Sequence, residues 1–465
     1  MGTLDYYAAI ARLAPGALAL SAMRRVQGVA RQARYRRRER TDEVLLLQAF
    51  GAARAEELAE RALGNRASRV WCELSQRDSV LEALAAIPGA RERARARAQA
   101  ALRQEWDVFG THVAFGEGRP VDWSLDALSG HRYPLAPVER MPLHSKGNDP
   151  KYPWVMGRLD SAIALAQGYW VEKSPDERDR LSSAFAMQVL DFLQANPVGQ
   201  GVHWTCAMEV ALRAANLAQA LVMFSDAAVV RRPEFLVPVL GSLADHLSWV
   251  EAHLEDRGAV PNNHLVSNYV GLLVVGLLFP QLPDTSRQVS VAVSGLCEQM
   301  SAQVHVEGTS FEGSIPYHRL SVELFTLALL VARGSGVALG TAYETRLRRM
   351  FHAVRAWCSE TGLAPQLGDN DSGRVFPLRE RGDLEQGYLV GLGAALFGDA
   401  GLGGGEPPDE AAWLLGQAGL ERHRRLSPAA PPLSVSFPEG GFHVLRGAGA
   451  VVTVSAGKQG QRGVG

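Results

Sequence analysis

Apolar residues recur at helical spacing from about residue 150 onward, in stripe after stripe separated by short polar connections. The stripes run over 153–170, 178–195, 204–224, 234–255, 264–279, 287–305, 316–333 and 340–360, then more weakly over 385–397 and 409–420. Turn and capping residues stand between them, such as "SPDE" at 174–177, "PDTS" at 283–286 and "RGSG" at 333–336. Short connections between such stripes predict antiparallel helical hairpins. The helices starting near 154, 204, 264, 316 and 385 follow loops rich in polar and aromatic residues. These are "GNDPKYPW" (147–154), "GQGVHWT" (199–205), "VPNNH" (260–264), "EGTSFEGSIPYH" (307–318) and "QLGDNDSGR" (366–374). The starts recur every ~50–60 residues, the length of a hairpin with its loops. Alternate helices of an up-down array begin at the same end, so all five loops are expected on one rim. A closed ring of hairpins is a toroid with a polar mouth; an open solenoid satisfies the same spacing.

The texture changes after "GLGGGEPPDE" (401–410). Over 434–465 the β-branched residues, Gly turns and alternation predict two antiparallel strands with a turn near Gly447. Two strands do not make a stable domain. The chain is therefore expected to stop early in a β-domain, as a piece of a longer protein with feeble or no activity of its own. The expected organisation is an N-terminal helical region with a basic segment (1–120), a toroid carrying the candidate catalytic site (121–425) and the start of a β-domain (426–465).

Composition changes this picture little. The chain is 47% hydrophobic and 21% charged, ordinary for a globular protein. Lys plus Arg number 48 and Asp plus Glu 49, so no global charge bias points to nucleic acid. The strongest charge run, Arg24 to Arg40, reads as a solvated helix face, with an anionic membrane surface or an acidic polymer as sharper alternatives. Cys72, Cys206, Cys297 and Cys358 have neither metal-ligand nor redox spacing. Ala8 to Ala22 is apolar, but its Arg residues follow the apolar part, the wrong order for a secretory signal. The stretch is also too short for a transmembrane segment, and both periplasm and cytoplasm fit.

Candidate chemistry lies in the rim loops. Asn262 and Asn263 stand where an N-cap is expected, and capping accounts for one of them. A second Asn followed by His264 is more polarity than a cap needs. Ser314 suits a cap and Pro316 the first turn of the next inner helix, which puts Tyr317 and His318 on the same rim. Tyr317 reads either as a packed aromatic with a wet hydroxyl or as a reactive group. Trp204 is a candidate to stack on a sugar, while Glu209 and Arg213 read as an i,i+4 ion pair. Asp369, Asn370 and Asp371 lack the spacing of a calcium loop. Arg374 suits a substrate carboxylate, with an Asx-turn and an Asp–Arg pair as the plainer reading.

Asn, His and Tyr at a polar mouth match β-elimination on a uronic acid. Removing the proton α to the carboxylate builds negative charge on that group, and Asn or His donors stabilise it. Tyr or His then accepts the ring proton and protonates the leaving oxygen. No metal or other cofactor is required.

At these residues the sequence resembles the heparinase II/III-like polysaccharide lyases. The similarity runs through "DWSLDALSGHRYP" (122–134), "NDPKYPWVMGRL", "HWTCAMEVALRAAN", "NNHLVSNY", "FEGSIPYHRL" and "GDNDSGR" to the strands near 440–457. The resemblance implies a mainly α fold, an incomplete (α/α) toroid followed by an antiparallel β-sandwich, here with its first strands. It implies carboxylate neutralisation by Asn263 and His264 and proton transfer by Tyr317. Trp204, Glu312, His318, Arg374 and Lys151 follow as candidate substrate contacts, and an anionic polysaccharide as partner. It also implies a further His in a Gly/His-rich segment beyond Gly465, and an Asn where His203 stands. Two rivals remain: a toroidal glycoside hydrolase using Glu312 with Asp369 or Asp371, and a glycan-binding protein that keeps the fold without the chemistry.

Overall fold

The computed structural model describes residues 15–37, 41–64, 69–143, 147–256, 261–371, 373–430, 432–447 and 449–457. Its helices alternate between an inner and an outer layer. The inner helices Asp160–Val171, Ala207–Met223, Asn263–Leu278 and Ile315–Gly334 pack one on the next. Their outer partners are Pro175–Ala195, Pro233–Ala252, Thr285–Gln303 and Thr341–Trp357, and Gly387–Phe397 pairs with Asp409–Arg424. Every residue of Ala207–Met223 is buried, and its polar side chains Glu209, Arg213, Asn216 and Gln219 each have a hydrogen-bond partner. Ile315–Gly334 is long and apolar enough to cross a membrane, and is buried in this array instead.

The two ends of the hairpin series are joined by an earlier pair. Arg77–Ala85 packs on Asp409–Arg424, and Ala90–Leu102 packs on Asp160–Val171. The result is a toroid-like arrangement, and part of the region assigned above to 1–120 is built into it. The Pro15–Arg37 helix lies against Pro233–Ala252. Arg31 pairs there with Asp256 at 2.6 Å and Arg34 with Glu251 at 3.2 Å, so the basic run is partly neutralised by the array. Arg38 to Arg40 lie outside the described residues.

The capping signals are seen as hydrogen bonds. Ser174, Asn262 and Ser314 accept from the backbone N–H of Glu177, His264 and Tyr317 respectively. The single helix expected over 153–170 is two, Lys151–Gly157 and Asp160–Val171. Leu159 between them is left-handed (φ 57°). The break is satisfied by Asn216, whose amide donates to the Arg158 carbonyl at 3.0 Å and to the Asp160 carboxylate at 2.8 Å.

The C-terminal sheet has three antiparallel strands where two were expected: Val435–Phe437, Phe442–Gly447 and Ala450–Ser455. The turn near Gly447 is in place, closed by the pair Gly447 and Ala450. The extra strand is only three residues long and follows a proline-rich run, too short for alternation to register. The sheet is fastened to the ring by Arg446, whose guanidinium donates to the carbonyls of Arg355, Ala356 and Cys358. These carbonyls close the Thr341–Trp357 helix, where a cation is favoured. A second departure is the hairpin Glu105–Val108/Thr111–Ala114, which no strand signal had marked.

Candidate active site

Four of the five polar loops meet at one cavity of about 210 Å³. Lys151 and Trp154 come from the first, Asn262 to His264 from the third, Glu312 and Tyr317 from the fourth, Asp369 and Asp371 from the fifth. The helix after the second loop adds Met208 and Glu209. A larger cavity of about 670 Å³ adjoins it and shares the walls Phe109, Val155, Arg158 and Asp371. Together they form one cleft.

Asn262 caps its helix, which leaves Asn263 free for another task. The Glu312 carboxylate accepts the Asn263 backbone N–H at 3.1 Å and one side-chain N–H at 2.8 Å. A primary amide has two N–H groups, so Glu312 fixes the amide plane and the second N–H remains for the cleft. Glu312 is buried, and burial raises its pKa, with the Asn263 bonds working the other way. Both its oxygens are engaged, which is the arrangement of a positioning group.

His264 is oriented in the same manner. Its Nδ1 lies 2.9 Å from Glu255 Oε1 and 3.9 Å from Cys206 Sγ. The other Glu255 oxygen accepts from the Met208 N–H at 2.9 Å and the Asn268 amide at 3.1 Å. Burial disfavours the imidazolium, but the Cys206 and Glu255 contacts outweigh it and hold His264 well above its ordinary pKa. A protonated imidazole beside Asn263 is a donor for an anion.

Tyr317 lines the same cavity, with its hydroxyl hydrogen-bonded to Asp371. Burial first, then the Asp371 charge, raises its pKa and keeps it a phenol. Asp371 also pairs with Lys151 at 3.2 Å. Arg158 and Glu209 form a two-pronged pair at 2.6 and 2.7 Å. Thus each of these cleft cations has a carboxylate beside it.

The loop bearing Asp369 and Asp371 is pinned by the Ile315–Gly334 helix and its cap. Ser314 Oγ donates to the Asp369 carbonyl at 2.6 Å, and Arg319 donates to the Gly373 carbonyl at 3.0 Å. Glu323 accepts from the N–H groups of Val375 and Phe376 and from the Tyr388 hydroxyl. Gly368 is left-handed (φ 80°), and a Cβ there would lie 2.6 Å from Ser314 Cα, so only Gly fits this approach.

Two expected contacts, Trp204 and His318, are placed elsewhere, and a third, Arg374, lies in the adjoining part of the cleft. Trp204 is 2% exposed, donates to the Asn196 carbonyl at 3.1 Å and packs on His246 and Trp249. That is a core position and not a sugar platform. His318 is buried, with Nδ1 accepting from the Ser310 N–H at 3.2 Å and Nε2 at 3.1 Å from the Met350 carbonyl. Burial pushes its pKa down to about 4, so it is a neutral structural imidazole. Arg374 lines the adjoining cavity and donates to the Gly382 carbonyl at 2.6 Å. The Glu209–Arg213 pair is also replaced, since Glu209 takes Arg158 while Arg213 bonds His246 and the His203 carbonyl. His203 itself is buried with Nε2 on the Trp123 carbonyl at 2.7 Å.

Sequence reading missed Phe109, Arg158 and Glu255. Phe109 lines both cavities from the tip of the 105–114 hairpin. It holds φ 52°, a conformation costly for an aromatic residue, and its ring meets Tyr152 edge-on at 5.4 Å. The Phe109–Gly110 turn flanked by alternating residues was the available signal.

The heparinase II/III N-terminus family model matches residues 70–376, well over half of the chain. The chain belongs to the heparinase II/III family. Its sequence is 25% identical over 224 residues to a heparin-sulfate lyase of Pedobacter heparinus, covering 47% of this chain and 32% of that protein. The fold is similar to a crystal structure of heparinase III, with a TM-score of 0.57 at 17% identity, covering 89% of this chain and 59% of that one. It is likewise similar to heparan sulfate lyase HepC from Pedobacter heparinus, with a TM-score of 0.50 at 18% identity, covering 79% and 52%. The chain therefore spans about a third of the curated relative within the match, and between half and two-thirds of these solved ones.

Proposed function

We propose that the protein is a polysaccharide lyase that cleaves a uronate-containing anionic polysaccharide by β-elimination. The observation that carries the reading is the convergence of Asn263, His264 and Tyr317 on one cavity, with each of the first two oriented by its own buried or half-buried carboxylate. The names of the relatives support it. In this mechanism the free N–H of Asn263 and the protonated edge of His264 receive the substrate carboxylate, where charge builds as the adjacent ring C–H is broken. Tyr317 first passes its phenolic proton to Asp371. As phenolate it then takes the ring proton and delivers it to the glycosidic oxygen as the C–O bond breaks, after which Asp371 gives the phenolic proton back. Asp371 holds the phenolic proton in between, so no proton is created or lost.

The test is the ultraviolet absorbance of the 4,5-unsaturated product across a panel of uronate polysaccharides. Absorbance rising on one polymer class is the expected result. Tight binding to a polymer with no product on any would favour the glycan-binding reading. Hydrolysis without the unsaturated product would favour the hydrolase.

Two substitutions sharpen the assignment. Glu312→Gln removes one acceptor from Asn263, and is expected to lower kcat about tenfold, roughly 1.4 kcal/mol for one buried hydrogen bond. Complete loss of turnover would instead make Glu312 a direct acid. Phe109→Ala is expected to raise KM about three- to tenfold, the scale of one aromatic contact, with kcat retained. An unchanged KM would remove Phe109 from the substrate path.

A further inference from the structure

Among the described residues, Cys206, Glu255 and His264 bring a sulfur, an oxygen and a nitrogen within 4.8 Å of one another. They come from three separate segments: the N-cap of Ala207–Met223, the connection after Pro233–Ala252, and the first turn of Asn263–Leu278. Sγ lies 3.8 Å from Glu255 Oε1 and 3.9 Å from His264 Nδ1, and the last two are 2.9 Å apart. Around a tetrahedral zinc, bonds of about 2.0–2.3 Å put neighbouring donors roughly 3.3–3.6 Å apart. The observed triangle meets this with shifts of a few tenths of an ångström. The Glu255 oxygen that faces away from the triangle is held by Met208 N–H and the Asn268 amide, the outer support that metal-binding carboxylates have.

We propose that Cys206, Glu255 and His264 form a site for a zinc-class divalent cation at the wall of the cleft. Thiolate, imidazole and carboxylate together select zinc or cobalt over calcium or magnesium. Three protein donors leave a fourth position for water or a substrate carboxylate oxygen. The cation replaces the Cys206 thiol proton and the proton between His264 and Glu255, and His264 keeps its Nε2 proton. His264 therefore remains a donor towards the cleft with or without the ion. The site goes beyond the lyase reading and does not rest on it, because binding is measured without turnover.

The experiment is titration of the metal-free protein with Co²⁺, followed by displacement with Zn²⁺. One equivalent is expected, with the visible bands of a tetrahedral site and a near-ultraviolet thiolate-to-cobalt charge-transfer band. Cys206→Ser should lose the charge-transfer band, although Cys72, Cys297 and Cys358 remain. Asn268→Ala, which keeps all three donors, should weaken Zn²⁺ binding about ten- to a hundredfold through the loosened carboxylate. Less than one equivalent bound by the wild type overturns the proposal. So does a charge-transfer band of equal strength in Cys206→Ser. Should that variant fail to fold, unchanged affinity in Asn268→Ala has the same force.

Discussion

Tyr317→Phe is expected to lower kcat for eliminative cleavage by about a hundred- to ten-thousandfold, the usual contribution of a positioned proton-transfer group, while the polysaccharide still binds. The change deletes only the hydroxyl. The ring keeps its packing, and the Ser314 cap bonds the backbone N–H of Tyr317 at 3.2 Å and not its side chain. A loss of rate with an unaltered melting profile therefore isolates proton transfer from folding. The readout is unsaturated-product absorbance alongside calorimetric binding. Retention of the rate within tenfold would take Tyr317 out of the chemistry and leave the cavity without its proton carrier. With Tyr317 as the proton carrier, Asp371→Asn should also lower kcat, because Asp371 accepts the hydrogen bond of the phenol.

The second large effect is structural. Glu323→Ala is expected to cost on the order of 3–5 kcal/mol, since three donors lose their acceptor and each unpaired buried donor costs ~1–3 kcal/mol. Those donors are the N–H groups of Val375 and Phe376 and the Tyr388 hydroxyl. Glu323 is fully buried, so water does not replace the acceptor. Calorimetry should show a lower thermal midpoint, and limited proteolysis should cut near 368–374. The same variant should lose activity, because Asp371 sits on the released loop. Wild-type stability would mean that Arg319 and Ser314 hold the loop without Glu323.

Both expectations turn on a loop whose position is a tertiary fact. The sequence did indicate that "QLGDNDSGR" belongs on the rim, from the spacing of helix starts. It did not indicate what holds it there. Arg319 and Glu323 stand one turn apart in a largely apolar helix, and buried charges in such a helix need partners. That was a legible warning with no legible partner. Trp204 illustrates the reverse error. An aromatic in a polar loop reads as a sugar platform, yet the loop turns it inward, where His246 and Trp249 surround it.

Local chemistry, by contrast, was read directly. Helical period, the Asn262 and Ser314 caps and the change to β texture near 434 depend on residues within a few positions of one another. One-dimensional order therefore suffices for them, whereas the choice between a toroid and an open solenoid was made by the packing of Arg77–Ala85 and Ala90–Leu102 on the two ends of the series. Which carboxylate meets which cation does not work that way. Arg158 takes Glu209 and Lys151 takes Asp371 across 51 and 220 positions, because packing of the array brings helix ends and loops from distant parts of the chain to one cleft. Glu255, Cys206 and His264 meet for the same reason. The sequence by itself determined the helical hairpins, their caps and the grouping of Asn263, His264 and Tyr317 at helix starts on one rim. Only the tertiary structure decided how they pair, since the partners stand on loops and helix ends far apart in the chain that meet only when the core packs.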